Sequence, residues 1–305
     1  MLQSLAQFTM QGRWQAAGVI ALLSVAALML PPFSYLASGV IVLCTLRMGP
    51  KEGIKVVVAT TALVTLLAGL LLDKLFISGL FLISSWLPVF GASWVLGYTR
   101  SLAMSLLATT GLGIVVVLGT YLVLPDPVLW WQQIIEPLAE TLAQQPGWQF
   151  NQAQTQAIVL NLSVMMTGLM AAGLSLNIML GLLIGRSWQA KLYNPGGFAS
   201  EFQQLKLGKS VAILTVVMML VTALPLGDSV SILRSCLPVL LVVFTLQGLS
   251  VVHAIVKQQQ RQSFWLVAVY VLLLVMMPQM AVLLTMLGVL EQWFNFRRLP
   301  VGSDE

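Results

Sequence analysis

RSWQAKLYNPGGFASEFQQLKLGK, residues 186–209, decides how this chain is read. On both sides of it the sequence turns apolar over stretches comparable to the roughly 20 residues a helix needs to cross a hydrocarbon core about 30 Å thick. The stretch therefore reads as a polar elbow between two membrane helices. Within it, Asn194-Pro195-Gly196-Gly197 is a turn. Phe198, Phe202 and Leu205 then recur at i, i+4 and i+7, with Ser200, Glu201, Gln203, Gln204 and Lys206 at the other positions. That spacing predicts a short amphipathic helix in the membrane interface. The same three apolar side chains are the expected anchors for a protein partner that docks on the elbow.

Composition agrees. The chain has 305 residues, of which 58% are hydrophobic and only 8% charged. Soluble domains average about 25% charged residues. So little charge cannot cover a globular surface in water, and the bilayer must solvate most of it. The net charge of +5 is no nucleic-acid signal, because the basic residues are scattered over short loops between apolar runs. Cys44 and Cys236 both sit inside apolar runs without metal-ligand spacing, and read as packing residues.

Moving outward from the elbow, the upstream apolar segments run about 15–30, 34–47, 54–72, 75–98, 101–124 and 155–185, and the downstream ones about 210–226, 232–256 and 264–294. The first is read as a membrane helix and not a signal peptide, since Pro31-Pro32-Phe33 is no small-residue cleavage site and the apolar pattern resumes at once. The last block is interrupted near Met277-Pro278. Residues 125–154 carry Asp126, Glu136 and Glu140 and no lysine or arginine, while Trp130, Trp131, Ile134, Ile135 and Leu138 recur at helical spacing. They predict an amphipathic segment on the outer surface, its tryptophans at headgroup level. The class is thus all-α: one membrane domain over 1–305, a transmembrane helical bundle of about eight to ten hydrophobic segments.

Counting charges orients it. With a cytoplasmic N-terminus and the last block folded as a hairpin, 13 of the 15 basic residues fall inside, and only Lys74 and Arg234 fall outside. Were the last block a single kinked span, Arg297 and Arg298 would move outside. The positive-inside rule favours the hairpin, both termini cytoplasmic and a cytoplasmic elbow at 186–209.

Chemistry is sparse. No GxxxxGK[ST], HExxH, CxxC or GxSxG motif occurs, and there is one histidine, His253. Nothing predicts catalysis, a metal or a cofactor. Polar residues inside apolar segments are the remaining candidates. Asn177 lies among Gly173, Gly181 and Gly185, a stripe four residues apart that lets a neighbouring helix approach closely. Asn161 and Asn177 are candidate ligand contacts, as are Gln247 and Arg234 on the segment at 232–256. Each also has a packing reading: Asn177 and Gln247 bonding across helices, Arg234 pairing with Asp228. Glu291, Trp293, Phe296, Arg297 and Arg298 read as an inner-surface anchor.

Four stretches carry a resemblance: LPPFSYLASG with RMGPKEG near the N-terminus, NPGGFASEFQQLKL in the elbow, FTLQGLSVVHAIV at 244–256, and WLVAVYVLLL through GVLEQWFNFRR. In these the chain resembles the YybS-like family of bacterial polytopic membrane proteins, whose function is unknown. That family is similar in fold to the substrate-binding subunits of energy-coupling-factor transporters and to the cell-shape protein MreD. The resemblance implies a bacterial inner-membrane, multi-pass protein. It leaves two functions to weigh: binding or moving a small molecule or lipid, with or without a partner subunit, and scaffolding other envelope proteins. A binding protein needs a cavity on which polar groups converge; a scaffold would use those groups between its own helices.

Overall fold

Leucine-, valine- and alanine-rich runs capped by serine, asparagine, aspartate and glycine dictate helix throughout. The computed structural model describes residues 2–72, 75–145, 147, 149–260 and 264–298, and no strand occurs among them. In chain order the helices are α1 (Leu2–Thr9), α2 (Arg13–Ala27), α3 (Pro32–Met48), α4 (Pro50–Leu72), α5 (Phe76–Phe81), α6 (Leu87–Thr99), α7 (Leu102–Val123), α8 (Pro127–Ala143), α9 (Gln152–Tyr193), α10 (Gly197–Gln203), α11 (Lys209–Ala223), α12 (Ser231–Gln258), α13 (Phe264–Val275) and α14 (Met277–Phe294). A π-helical turn at Leu82–Trp86 joins α5 to α6. Among the described residues, five helical stretches are long and apolar enough to cross a membrane: Pro50–Leu70, Phe76–Thr99, Leu102–Val123, α9 and α12. The protein is membrane-embedded and all-α. Lys74 and Arg261, each assigned to a side in the charge count, lie outside the described residues.

The boundaries follow local chemistry. Pro32 opens α3, where its missing N–H costs nothing, and Gly49 closes it at φ 88°, a left-handed backbone that a side chain resists. Ser101 caps α7 by accepting from the Met104 N–H, and Asp126 caps α8 by accepting from Val128 and Leu129. Asn151 and Gln154 form a reciprocal capping box at the start of α9.

At 42 residues and 1.5 Å per residue, α9 is about 63 Å long, twice a hydrocarbon core. It is the mast of the fold. Its C-terminal half packs on α3, where a Cβ on Gly181 would strike Ser38 and one on Gly185 would strike Val42 and the Gly39 carbonyl. Higher up, Gly168 brings α9 onto α12, a Cβ there falling 2.6 Å from the Ser235 carbonyl oxygen. Gly173 departs from the expected stripe: it is exposed and a Cβ would meet no atom within 4 Å, so it makes no close approach within this chain. The contacts that matter are Gly168, Gly181 and Gly185.

The N-terminal half of α9 carries α8 antiparallel along it, fixed by the Trp131 indole N–H donating to Thr167 Oγ1 at 2.9 Å. The segment expected on the outer surface is therefore braced along α9. On the other flank α12 and α14 cross at two glycines. A Cβ on Gly248 would strike the Leu284 carbonyl, and one on Gly288 the Phe244 carbonyl, so the two backbones touch.

The last block bends at Met276 (φ −121°, ψ 48°), just before Pro278. α14 packs on α12 and ends beside the elbow, where Lys206 Nζ donates to Asn295 Oδ1 at 2.6 Å. α13 buries none of its residues. The block is a splayed hairpin with one arm in the bundle and one against its flank.

The elbow also differs from its expected form. Residues 186–193 continue α9, and α10 occupies Gly197–Gln203. Phe202 and Leu205 are 8% and 3% exposed and belong to the main hydrophobic core, with Phe198 packed against it. The stripe of Phe198, Phe202 and Leu205 thus faces the bundle, with Phe202 and Leu205 buried in its core and not exposed as anchors.

Candidate functional site

Two nodes of polar side chains tie helices together around the sequence candidates Asn177 and Gln247. In the first, Ser34 Oγ donates to Asn177 Oδ1 at 3.1 Å, and Asn177 Nδ2 donates to Ser85 Oγ at 3.0 Å. Ser85 sits on the π turn, 3.4 Å from Ser38 Oγ. The widened turn thus presents a hydroxyl to α3 and α9 together. In the second, Gln247 is 0% exposed. Its Oε1 accepts from the Leu207 N–H at 3.0 Å and its Nε2 donates to the Gly288 carbonyl at 2.8 Å. Gln247 fastens the elbow to both α12 and α14.

A latch lies beside that node, made by two residues of the expected inner-surface anchor. Glu291 is 0% exposed on α14, and its Oε1 is 3.2 Å from Arg297 Nε, a charge contact without hydrogen-bond geometry. Its Oε2 accepts from the Phe296 N–H at 2.7 Å. Arg297 donates to the Gln203 carbonyl, to the Leu205 carbonyl at 2.8 Å and to Ser250 Oγ at 3.0 Å. It thereby satisfies carbonyls left open where α10 ends. Burial pulls the Arg297 guanidinium below its ordinary pKa, and the Glu291 carboxylate pushes it back up. Glu291 and Arg297 were expected as a surface anchor; they are an internal clamp.

The remaining candidates stand apart from both nodes. Asn161 is exposed on the N-terminal half of α9. Arg234 is half-buried near the start of α12 and finds no hydrogen bond or ion pair among the described residues. The side chain of Asp228, its expected partner, lies outside them.

One cavity that combines apolar walls with polar groups lies under α10; another, of about 630 Å³, lies between α8 and α9. The first holds about 490 Å³ between α9, α10, α12 and α13. Leu183, Ile184, Trp188, Phe198 and Phe202 form the apolar wall, and Ser187, Lys191, Gln203, His253 and Tyr270 supply polar atoms. His253 Nε2 lies 2.9 Å from the Tyr270 hydroxyl, and the His253 ring stands edge-on to Phe202 at 5.5 Å. Among the sequence candidates, Phe198 and Phe202 line this cavity, Leu205 lies in the core beside it, and Asn177, Gln247, Asn161 and Arg234 do not reach it. A larger recess of about 780 Å³ between α4 and α5–α6 is almost wholly aliphatic. Its Thr61 and Thr65 hydroxyls are satisfied by helix carbonyls. Such a recess suits lipid chains and offers nothing to orient a ligand. No group of three or more metal-ligating side chains occurs among the described residues.

Comparison with protein-family models, curated proteins and solved structures finds no match to this chain.

Proposed function

We propose that this chain is a multi-pass protein of the bacterial inner membrane that binds a lipid-like amphiphile or small apolar molecule in the cavity under α10. Its elbow and both termini face the cytoplasm, and about eight to ten apolar segments enter the bilayer. One observation carries the reading: the elbow cavity joins an apolar, aromatic wall to a polar rim of Lys191, Ser187, Gln203 and the His253–Tyr270 pair. A half-apolar, half-polar recess at the end of a membrane bundle matches a molecule that is itself half and half. No catalytic step, cofactor or metal is part of the proposal. The resemblance to the YybS-like family bears only on the membrane class and supports no particular ligand.

The test is native mass spectrometry of protein extracted in mild detergent. Wild-type protein is expected to retain a bound amphiphile. Ala199→Trp, at an exposed cavity-lining position, fills the space and should remove the adduct, whereas Ser200→Trp, next to it and outside the lining, should not. A bare wild-type protein, or an adduct pattern that Ala199→Trp leaves unchanged, contradicts the reading.

A second reading, a non-catalytic scaffold for envelope or cell-shape proteins, draws support from the two polar nodes. Asn177 and Gln247 have both ends of their amides engaged between helices, as a static body requires. A protein partner recovered with both the wild type and Ala199→Trp, in the absence of any small molecule, favours it.

A further inference from the structure

A second cleft, of about 530 Å³, lies at the elbow end beside Glu201 of α10, and it is polar where the elbow cavity is largely apolar. Leu46 of α3 and Leu96 and Gly97 of α6 form its wall; Arg100, Arg186, Gln189 and Glu201 supply its polar atoms. Arg186 and Glu201 form an ion pair, Nε to Oε2 at 2.8 Å without hydrogen-bond geometry, and Arg186 Nη1 donates to Gln189 Oε1 at 3.2 Å. Two groups remain. The exposed Arg100 guanidinium has no hydrogen bond or ion pair among the described residues, and neither does Glu201 Oε1. Arg100 is held there by the turn between α6 and α7, where it closes α6 in a left-handed conformation at φ 51°, its N–H donating to the Leu96 carbonyl at 2.9 Å. Strain of that kind in a residue other than glycine persists where the surroundings impose it.

The cleft thus offers one unpaired cation and one unpaired carboxylate oxygen over an apolar wall. A purely anionic group would meet Arg100 but leave Glu201 Oε1, which Arg186 does not reach, without a donor; a purely cationic one would face the Arg100 and Arg186 guanidinium groups. A headgroup with both charges satisfies both. We propose that this cleft binds a phosphate carrying a primary ammonium, the phosphoethanolamine headgroup of an aminophospholipid. The phosphate is held by Arg100, and the ammonium donates to Glu201 Oε1. Basic pockets between membrane helices take lipid headgroups by the same electrostatics. The proposal needs only that the chain sits in a bilayer, and it stands apart from the occupant of the elbow cavity.

The experiment is native mass spectrometry of the full chain from mixed micelles with equal phosphatidylethanolamine, phosphatidylcholine and phosphatidylglycerol. Each hydrogen bond between charged groups is worth enough to give about a tenfold preference for phosphatidylethanolamine over phosphatidylcholine, whose quaternary ammonium cannot donate. Arg100→Ala, at an exposed position, should abolish retention of the lipid, and Arg100→Lys should keep it. Glu201→Gln should lower phosphatidylethanolamine to the level of phosphatidylcholine. Ala199→Trp should leave the preference intact, which separates this site from the elbow cavity. Displacement by free O-phosphoethanolamine at equal concentration assigns the same chemistry to a soluble ligand. Equal retention of the three lipids, or a preference that survives Arg100→Ala, overturns the proposal.

Discussion

Gly248 and Gly173 look alike in the sequence, each a glycine in an apolar helix, yet they stand in opposite surroundings. A Cβ on Gly248 would enter the Leu284 carbonyl, which is backbone and cannot swing aside; one on Gly173 would enter open space. Gly248→Ala should therefore destabilise the protein by about 1–3 kcal/mol, the usual cost of overpacking. Gly173→Ala should leave stability unchanged or raise it by up to about 1 kcal/mol through helix propensity. Thermal unfolding in detergent reads both, and an equal loss in the two variants would contradict the packing described. The four-residue spacing made Gly181 and Gly185 visible as a seam, since spacing tells which residues share a face. It cannot tell where along a helix that face meets a neighbour, so it included Gly173 and passed over Gly168. The amides were similarly half legible. Asn177 and Gln247 stood out as polar atoms in apolar surroundings, but their partners Ser34, Ser85, Leu207 and Gly288 lie about 40 to 140 residues away in the chain, and nothing local announces them.

At the scale of elements, the elbow is a closure. The i, i+4, i+7 stripe correctly marks one face of α10 as apolar, and the bundle takes that face for its own core. What holds the closure is the Glu291–Arg297 clamp, formed by two residues whose position near the chain's end suggests an ordinary interfacial anchor. Their burial depends on the α12–α14 glycine crossing, a tertiary contact absent from any local pattern. Removing one charge strands the other. Arg297→Met leaves the Glu291 carboxylate buried without its partner and frees the Gln203 and Leu205 carbonyls, a loss of about 3 kcal/mol or more. The elbow should become the first site of limited proteolysis. The double variant Glu291→Leu/Arg297→Met should recover part of that stability, because no charge is then left buried. A single variant as resistant to protease as wild type would show that the clamp holds nothing.

At the scale of the whole molecule, many helix boundaries were legible, because hydrocarbon length and polar punctuation are local, but α1 and the continuation of α9 through 186–193 were not. Pro31-Pro32, the turn at 48–50, Arg100-Ser101 and Pro125 each separate helices where expected. The arrangement was not legible, since neither the 42-residue mast nor the splayed α13 follows from composition. The turns that carry basic residues do gather at one end. Arg47 lies over the Tyr193 ring at 4.2 Å, Arg100 shares a cleft with Arg186, and Arg297 reaches Gln203. Both proposed sites sit at that end, and the proposed topology turns it to the cytoplasmic side. Cysteines introduced singly at Ser200 and at Gln144, both exposed, decide it in intact cells with a membrane-impermeant thiol reagent, the native Cys44 and Cys236 being buried. The account predicts that Gln144→Cys is labelled and Ser200→Cys is protected until the membrane is opened; labelling of Ser200→Cys with protection of Gln144→Cys would contradict it.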